Sequence, residues 1–308
     1  MTKITVVMPT FNRANFIGEA LDSLGAQTVP ALEYIVVDDC STDGTNDKLQ
    51  GHPQAARIRY HRNTRNLGAS ESRNVGVGMA RGEVIVFLDS DDILEPTHHE
   101  EALAILGAKP EVGLYCCDAR MIGPGGELLH GGRTYTEIQC SPRPPLPTGP
   151  RSLAQIFLLS TSFPGMTLRR AIYQAVGGLD QGIFPLDDYD LQIKVAGSGS
   201  TVFYSARPLA RYRVHSSNES GPAKSVVVGI QKLRCLRRAA EDHPGLVGAP
   251  AARKHRIGEA RRELAISLLR DRKWLNGVWE LLRSLVDDPG GLAVLLGIVG
   301  RKLRRETH

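Results

Sequence analysis

Three carboxylates stand within four residues in the run Asp89-Ser90-Asp91-Asp92, directly after an apolar segment. Like charges at this spacing repel one another unless a cation or a shifted pKa relieves them. Carboxylate oxygens are hard ligands that suit Mg²⁺ or Mn²⁺, and such an ion can bridge the oxygens of a diphosphate. The alternative is that Asp91 or Asp92 only caps the helix expected after Pro96, and the run by itself leaves both interpretations open.

Two further polar runs follow predicted strands near the N-terminus. They are Pro9-Thr10-Phe11-Asn12-Arg13 and Asp38-Asp39-Cys40-Ser41-Thr42-Asp43-Gly44-Thr45. A parallel α/β sheet binds its ligands at the carboxyl ends of its strands. We therefore expect three strand ends to bring polar and acidic groups to one edge of a sheet.

The first 120 residues show the alternation of strands and helices that builds such a sheet. Apolar runs predict strands at 4–8, 33–37, 58–61, 84–88 and 112–116. Helical spacing of apolar residues predicts helices at 15–26 and 69–80, and the turn at 41–44 is expected to cap a short helix between them. Residues 122–150 are rich in glycine and proline, which predicts a long loop over the site.

Ordered elements are expected to resume after that loop. The pattern predicts helices at 153–159, 170–176 and 189–196 and strands at 165–168, 201–204 and 210–213. After Pro222 the chain reads as helical, with turns at 244–250 and 289–291 and a last helix at 292–303.

Composition limits the classes to which the protein can belong. The chain has 308 residues, 42% of them hydrophobic and 23% charged, which is the ordinary globular range. Its longest apolar stretch, 292–300, has nine residues, against the ~18–20 that a membrane-spanning helix needs. The five cysteines are odd in number and show no C-x-x-C spacing, which argues against a disulfide framework or a zinc site and suits a reducing cytoplasm. We therefore expect a cytoplasmic protein.

The net charge of +5 is concentrated at one end of the chain. Residues 253–308 contain 13 Lys and Arg against 7 Asp and Glu, whereas the remaining residues are close to neutral. The basic excess belongs to this segment, so the sequence does not predict nucleic-acid binding.

Four motifs occur in the order and at the spacing of a known family. They are Pro9-Thr10-Phe11-Asn12-Arg13, the run from Val37 to Thr45, Asn66-Leu67-Gly68-Ala69-Ser70 with Arg73-Asn74, and Leu88-Asp89-Ser90-Asp91-Asp92. Together they resemble the signature of the family 2 glycosyltransferases over roughly residues 1–220. The resemblance implies a GT-A fold: an α/β, Rossmann-like, mainly parallel central sheet with helices on both faces, here followed by a C-terminal helical extension.

The resemblance also implies roles for individual residues in binding a nucleotide-sugar donor. Asp39 is placed on the base, with Pro9, Thr10 and Phe11 as its wall, and Asp89 near the ribose. Asp91 corresponds to the metal ligand of the family's D-x-D motif, for Mg²⁺ or Mn²⁺. The remaining residues expected to bind the nucleotide sugar are Arg13, Asn66, Arg73 and Ser90.

Two later stretches complete the resemblance. Gly177-Gly178-Leu179-Asp180 followed by Leu186-Asp187-Asp188-Tyr189-Asp190-Leu191 is similar to the segment that carries the family's catalytic base, which makes Asp188 the base. Asp187 stands where the family more often has Glu. The chemistry fits, since a sugar hydroxyl that attacks an anomeric carbon needs a carboxylate to accept its proton. The alternative is that these acids only cap the following helix. Tyr212-Arg213-Val214-His215 resembles a segment whose His approaches the metal or the diphosphate, which makes His215 a second candidate ligand.

These features predict a domain division and a function. We expect a GT-A domain over 1–221, with a nucleotide-sugar-binding half at 1–118 and an acceptor and catalytic half at 119–221, and a helical basic region at 222–308. The predicted activity is metal-dependent, inverting transfer of a sugar from a nucleoside diphosphate sugar, with UDP expected, to a hydroxyl of a glycan or glycolipid in the cell envelope. A non-catalytic nucleotide-sugar-binding or scaffold protein of the same fold, or a sugar-phosphate nucleotidyltransferase, is the alternative.

The basic region has its own two interpretations. Apolar residues at helical spacing, among them Leu264, Leu268, Leu275, Val278 and Leu282, predict helices with a solvated basic face that pack on the catalytic domain or on each other. The functional alternative is an interfacial segment that draws the enzyme to anionic lipid on the inner face of the membrane, near a lipid-linked acceptor. Self-association into an oligomer is a third possibility.

Overall fold

The computed structural model describes residues 3–139, 145–159, 164–218 and 224–289. The chain divides into two compact units, one formed by Met1–Ser152 with Thr161–Asn218 and the other by Leu153–Ser160 with Glu219–His308. The second unit includes the segment 153–160, which the sequence pattern places in the acceptor and catalytic half. The domain boundary at 221 stays a prediction.

The first unit is built on one mixed sheet. Its strands are β1 (Ile4–Thr10), β2 (Glu33–Asp38), β3 (Ile58–Arg62), β4 (Val84–Phe87), β5 (Ile93–Leu94), β6 (Val112–Ile122), β7 (Gly149–Arg151), β8 (Thr167–Arg169) and β9 (Thr201–Arg213). They lie in the order β3-β2-β1-β4-β8-β6-β9-β5, with β7 also paired to β9. The pairs β3-β2, β2-β1, β1-β4 and β6-β9 are parallel, whereas β5, β7 and β8 run antiparallel to their neighbours.

Helices connect these strands. In the first unit they are α1 (Ile17–Gly25), α2 (Thr45–Gln50), α3 (Ala69–Met79), α4 (His98–Ala108), α5 (Tyr135–Gln139), α7 (Arg170–Ala175) and α8 (Asp187–Gly197), while α6 (Leu153–Leu159) belongs to the second unit. The predicted elements of the first 120 residues are therefore present within a few residues of their expected bounds.

The central strands are apolar because both faces of the sheet are covered. On one face, Val6 and Met8 of β1 share a buried core with Ile17 and Leu21 of α1. On the other face α3 packs on β1 so closely that a Cβ at Gly76 would lie 2.4 Å from Val7 Cγ1. Helices on both faces hold β1, β2 and β4 side by side and so fix the edge from which the polar runs emerge.

Two predictions for the middle of the chain need correction. Residues 122–150 are not a plain loop, since α5 and β7 lie within them; residues 140–144 fall outside the described part. The two strands expected at 201–204 and 210–213 form the single strand β9, which pairs β7 through Val202–Tyr204 and β5 through Ala210–Arg211. Pro208 interrupts the sequence pattern, but the pairing of β6 with β9 absorbs it by shifting register next to Asp118.

The second unit is helical, as expected, and contains α9 (Ser225–Asp242), α10 (Pro250–Arg270) and α11 (Trp274–Asp287). The last predicted helix, 292–303, lies outside the described residues. None of the helices that are described combines the length and hydropathy required to cross a bilayer.

The predicted solvated basic face is wrong for α10. Arg256, Arg261 and Arg262 are buried there. Arg261 pairs with Glu280 at 2.5 Å and with Asp287, and Arg262 pairs with Asp288 at 2.8 Å. Arg261 and Arg262 are tolerated in this buried position because their guanidinium groups meet carboxylates in or just after α11, about 20 or more residues away in sequence, which helical spacing alone does not reveal. Arg256 pairs within α10, with Glu259 at 2.9 Å.

Candidate active site

The polar runs meet because β2, β1 and β4 are neighbours and parallel, so their carboxyl ends point to one edge. The loops after β1 and β2 are tied together at that edge. Asn12, in the left-handed region at φ 53°, accepts a hydrogen bond from the Thr42 N–H through Oδ1 at 2.8 Å. Its own N–H donates to Ser41 Oγ at 2.9 Å, and the Ala14 N–H donates to Asp43. These bonds fix the loop conformation that presents Phe11.

The residues expected to line the base differ in accessibility. Pro9 and Thr10 are the buried last residues of β1, whereas Phe11 is 43% exposed. An exposed aromatic ring at the end of a strand offers a flat apolar surface for a nucleobase. Of these three predicted residues, Phe11 therefore has the side chain best placed to touch a base, and the other two set its position.

Asp39 is buried and anchors the loop after β3. Its Oδ1 accepts hydrogen bonds from Asn63 Nδ2 and the Leu67 N–H, both at 2.8 Å, and its Oδ2 accepts one from the Gly68 N–H at 2.7 Å. Asn66 Nδ2 lies 3.4 Å from the Asp39 carbonyl oxygen. Gly68 adopts φ 85°, which favours glycine, and α3 begins at the next residue. Asp39 thus joins the loop containing Asn66 to the end of β2.

Arg73 links the acidic run after β4 to the start of α8. Its Nη2 donates to Asp89 Oδ1 at 2.5 Å and its Nη1 donates to Asp187 Oδ2 at 3.0 Å. Burial alone would lower the pKa of Arg73, but the Asp89 and Asp187 carboxylates raise it above its ordinary value. A permanently charged guanidinium therefore holds the two acidic segments together.

The neighbouring acids Asp187 and Asp188 have different surroundings. Asp187 is buried, and besides Arg73 it accepts a hydrogen bond from Ser70 Oγ at 2.9 Å. Asp188 is half-buried; its Oδ1 accepts from the Tyr189 N–H at 2.7 Å, and its charge contributes to the raised pKa of Arg73. The geometry thus ties Asp187 to α3 and leaves Asp188 as the more accessible of the two carboxylates.

Asp91 lies between two cationic or potentially cationic side chains. Its Oδ2 accepts hydrogen bonds from Arg13 Nε and from His215 Nε2, each at 3.0 Å. The His215 ring is oriented by Ser217 Oγ, 2.9 Å from Nδ1, and by stacking on Phe16 with centroids 4.9 Å apart. The structure therefore brings together the two predicted metal ligands, and places the predicted donor-binding residue Arg13 on the same carboxylate oxygen.

The Asp91 carboxylate and the His215 imidazole fit a divalent cation whose remaining ligands are diphosphate oxygens and water. No cluster of three or more His, Cys, Asp or Glu side chains that could hold a metal occurs among the described residues. Mg²⁺ sites that act on phosphates commonly use one or two protein ligands and leave the rest to phosphate oxygens and water. An imidazole whose second nitrogen is held by a hydroxyl has the support typical of a metal ligand.

Arg213 is a site residue to which the sequence assigned no role. Its side chain is fully buried and donates from Nε to the Asp91 carbonyl oxygen at 2.8 Å, from Nη2 to Glu19 at 2.8 Å and from Nη1 to the Pro124 carbonyl oxygen at 3.0 Å. Its guanidinium also lies 5.2 Å from the centroid of the Phe16 ring. Its position two residues before His215 is the feature of the sequence that could have pointed to Arg213. Helical or strand spacing does not show that an arginine is buried.

Asp92 is buried beneath this cluster and accepts a hydrogen bond from the Arg213 N–H at 2.9 Å. Burial, and then the nearby charges of Asp91 and Asp89, raise the pKa of Asp92 well above its usual range. Ser90 is buried as well. Of the acidic run, Asp89 and Asp91 are therefore the carboxylates available to a ligand, and Asp92 supports the loop.

Comparison with known proteins agrees with this geometry. Residues 5–175, more than half of the chain, match the family described as Glycosyl transferase family 2. The chain belongs to this family. It is therefore a glycosyltransferase with the α/β fold of that family.

Its relatives include bacterial glycosyltransferases and a hyaluronan synthase. The chain is 28% identical over 221 residues, 70% of either chain, to an uncharacterized glycosyltransferase of Haemophilus influenzae. It is 35% identical over 109 residues to poly(ribitol-phosphate) beta-N-acetylglucosaminyltransferase TarS of Staphylococcus aureus, and 28% identical over 232 residues to hyaluronan synthase of Pasteurella multocida. These segments span 34% and 74% of this chain but only 19% of TarS and 22% of the synthase.

Solved structures share the fold at lower sequence identity. S. aureus TarS 1–349 in complex with UDP-GlcNAc has a TM-score of 0.66 at 19% identity, covering 92% of this chain and 81% of that one. Mannosyltransferase PcManGT from Pyrobaculum calidifontis, in complex with GDP-Man and Mn²⁺, has a TM-score of 0.63 at 20% identity, covering 98% and 80%.

Proposed function

We propose that the enzyme transfers a sugar from a nucleoside diphosphate sugar to a hydroxyl group, with inversion at the anomeric carbon and with a divalent cation bound at Asp91. A UDP sugar is the proposed donor. Two structural neighbours support this class of donor, since TarS forms a complex with UDP-GlcNAc and the mannosyltransferase forms one with GDP-Man and Mn²⁺. The matched relatives that act on poly(ribitol phosphate) and make hyaluronan support a glycan acceptor.

The observation that carries this proposal is the Arg73 bridge. It joins Asp89, on the donor side of the edge, to Asp187, whose neighbour in sequence is Asp188. A bound donor at the strand ends and a carboxylate at the start of α8 are thereby held in one site. Correct relative placement of the reacting groups is a large part of enzymatic rate enhancement.

Asp188 is the proposed general base. A half-buried carboxylate can accept the proton of an acceptor hydroxyl as that oxygen attacks the anomeric carbon, and the nucleoside diphosphate then leaves from the opposite face. A single displacement of this kind inverts the anomeric centre. It requires one base and no covalent intermediate, which agrees with a site whose accessible acids are Asp89, Asp91 and Asp188.

Asp91 and His215 are the residues proposed to hold Mg²⁺ or Mn²⁺. When bound, the cation would act as a Lewis acid that neutralises the charge of the leaving diphosphate. Arg13, which now donates to the same Asp91 oxygen, is free to bind a diphosphate oxygen when a cation takes its place. Arg213 and Phe16 keep the Asp91 loop and the His215 ring in position, whether Asp91 pairs with Arg13 or holds a cation.

We further propose that the acceptor is a glycan or glycolipid of the cell envelope, and that the enzyme works in the cytoplasm at the inner face of the membrane. The four cysteines in the described residues are free thiols, which agrees with a reducing compartment.

The test measures UDP release and UDP binding in matched variants. Asp188→Asn should lower the release of UDP from UDP-GlcNAc with Mn²⁺ at least ~100-fold, because general-base catalysis contributes about 10²–10⁴-fold. Its affinity for UDP should change less than about three-fold, since Asp188 is not proposed to bind the nucleotide. Asp22→Asn, which alters an exposed carboxylate paired with His52, is the control and should retain activity. Substantial UDP release by Asp188→Asn would remove Asp188 from its proposed role.

A further inference from the structure

The outer face of α11 carries large apolar side chains that the described part of the chain leaves exposed. Each of these residues is between 48% and 88% exposed. They are Trp274, Leu275, Val278, Trp279, Leu282 and Val286, and together they are called the α11 face. On a helix of 3.6 residues per turn they occupy an arc of about 140°, with Trp274 and Trp279 at its two edges. Isolated exposed apolar residues are ordinary, whereas a contiguous stripe on one helix marks a binding surface.

The opposite side of α11 fixes the rotation of the helix. Gly277 and Ser284 are buried against α10, and a Cβ at Gly277 would lie 2.7 Å from Leu269 Cγ. Glu280 and Asp287 both pair with Arg261 of α10. Turning the apolar arc inward would break these buried ion pairs, so the α11 face stays outward.

The ion pairs also determine the charge that surrounds the α11 face. Glu280 and Asp287 of α11 pair with Arg261 of α10, and Glu280 also lies 3.5 Å from Arg283, so each of these two acids faces at least one arginine. Arg283 and Lys273 are about half exposed. The Arg283 guanidinium lies 4.8 Å from the centroid of the Trp279 ring, at the edge of the arc. Asp271 is the exposed acid nearby, 3.9 Å from Lys273, and the exposed Arg270 and Arg272 flank it. The rim of the α11 face is therefore cationic.

An apolar arc with tryptophans at its edges and cations at its rim matches the surface of an anionic bilayer. A second copy of the chain is a poorer match. A helix of 14 residues is about 21 Å long and its exposed side about 10 Å wide, so the face offers on the order of a few hundred Å², below the ~800 Å² per partner of a stable interface. The segment after α11 has the same character, with an apolar run at 292–299 and Arg301, Lys302, Arg304 and Arg305 against the single acid Glu306.

We propose that the α11 face binds the surface of an anionic lipid bilayer, with Trp274 and Trp279 at the level of the headgroups and Arg283 and Lys273 against lipid phosphates. The α11 face shares no residue with the candidate active site, so the inference does not depend on the donor or on the catalytic base. It assigns membrane binding to the exposed apolar side of α11, not to the buried arginines of α10.

The chain offers a direct readout, because Trp274 and Trp279 are its only two tryptophans. The full-length protein is titrated with phosphatidylcholine vesicles and with vesicles that also contain phosphatidylglycerol, and tryptophan emission and co-sedimentation are recorded. Without vesicles the emission should be that of water-exposed tryptophan. Anionic vesicles should shift it to shorter wavelength, bind the protein on the order of ten-fold more tightly than neutral ones, and release it as salt is added.

The decisive variant is Leu275→Glu/Leu282→Glu, which places two carboxylates in the middle of the arc at exposed positions. It should weaken binding to anionic vesicles at least ~10-fold, since it removes apolar area and adds negative charge. Val227→Glu/Leu246→Glu adds the same charge at similarly exposed apolar residues outside α11 and should bind as the parent does. Circular dichroism checks that both double variants fold.

Four outcomes would overturn the proposal. They are equal binding to neutral and anionic vesicles, undiminished binding of the Leu275→Glu/Leu282→Glu variant, a vesicle-free emission that shifts with protein concentration, and a vesicle-free emission that becomes water-like only when residues 290–308 are deleted. The third outcome would identify a second copy of the chain as the occupant of the α11 face, and the fourth would identify the C-terminal segment.

Discussion

Replacing Arg73 by Met should destabilise the first unit and disable the site together. The substitution keeps most of the side-chain volume and removes the guanidinium from between Asp89 and Asp187. The Asp187 side chain is 4% exposed, so its charge would be left buried with Ser70 Oγ as its remaining hydrogen-bond donor among the described side chains, whereas the Asp89 side chain is 44% exposed and regains water. Nearly all of the cost therefore arises at Asp187.

The size of that cost follows from the behaviour of buried ion pairs. Breaking such a pair by removing one partner costs about 3–5 kcal/mol. Arg73→Met should therefore lower the free energy of unfolding by about 3–5 kcal/mol at pH 7.

The assay is urea unfolding at pH 7 followed by circular dichroism, together with UDP titration. Arg73→Met/Asp187→Asn should recover at least half of the lost stability, because it removes the uncompensated charge. Arg207→Met is the control: Arg207 also pairs with a carboxylate, Glu101, but is largely exposed, so its loss should cost less than about 1 kcal/mol. A loss of stability in Arg73→Met no larger than that in Arg207→Met would refute this role for Arg73.

Three further predictions concern Asp39, the neighbouring histidines His98 and His99, and Glu33. Asp39→Asn should weaken UDP binding at least ~10-fold, measured by calorimetry, because an amide cannot accept all the bonds that the carboxylate takes from Asn63 and from the N–H groups at 67–68; unchanged affinity would contradict this. Burial lowers the pKa of His98 to about 3 and of His99 to about 4. As the pH falls, these histidines take up protons in the unfolded chain before they do so in the folded one, so the free energy of unfolding should fall by about 3–4 kcal/mol from pH 7 to pH 5. A free energy of unfolding that stays constant over this range, measured with urea, would contradict the prediction. Burial alone would raise the pKa of Glu33, but hydrogen bonds from Arg59, Arg81 and Thr5 lower it from 4.5 to about 2. The charged carboxylate therefore stabilises the fold above pH 4.5, and this stabilisation is lost as the pH falls toward 2. Glu33→Gln should cost about 2–3 kcal/mol at pH 7 while UDP affinity stays the same.

The elements that build the sheet could be predicted from the sequence because their signals are local. An apolar run such as Val84–Phe87 reads as a strand buried on both faces, and the spacing of Ile17, Leu21 and Leu24 reads as a helix with one buried side. The strand order then follows from the parallel connections, which is why the three polar runs meet at one edge as expected.

The contacts within the site could not be predicted in the same way. Arg13 meets Asp91 across 78 residues and Arg73 meets Asp187 across 114, and no periodicity encodes such pairings. The same limit applies to α10, where a basic stripe reads as solvated until the acids of α11 are placed beside it. Helical spacing is equally limited for Leu275 and Leu282. It assigns them to the same apolar stripe as Leu264, but Leu264 is buried whereas Leu275 and Leu282 are exposed.

The most direct test of the central claim is metal-dependent nucleotide binding at Asp91. Thermal unfolding of the parent protein and of Asp91→Asn is measured with UDP, dTDP, GDP and CMP, each with Mn²⁺ or with EDTA. A ligand at 100 times its dissociation constant stabilises by about 2.7 kcal/mol, which is a shift of several degrees. The parent protein should show such a shift with UDP and Mn²⁺, and the shift should be lost with EDTA and in Asp91→Asn. A shift of equal size with EDTA, or in Asp91→Asn, would contradict it.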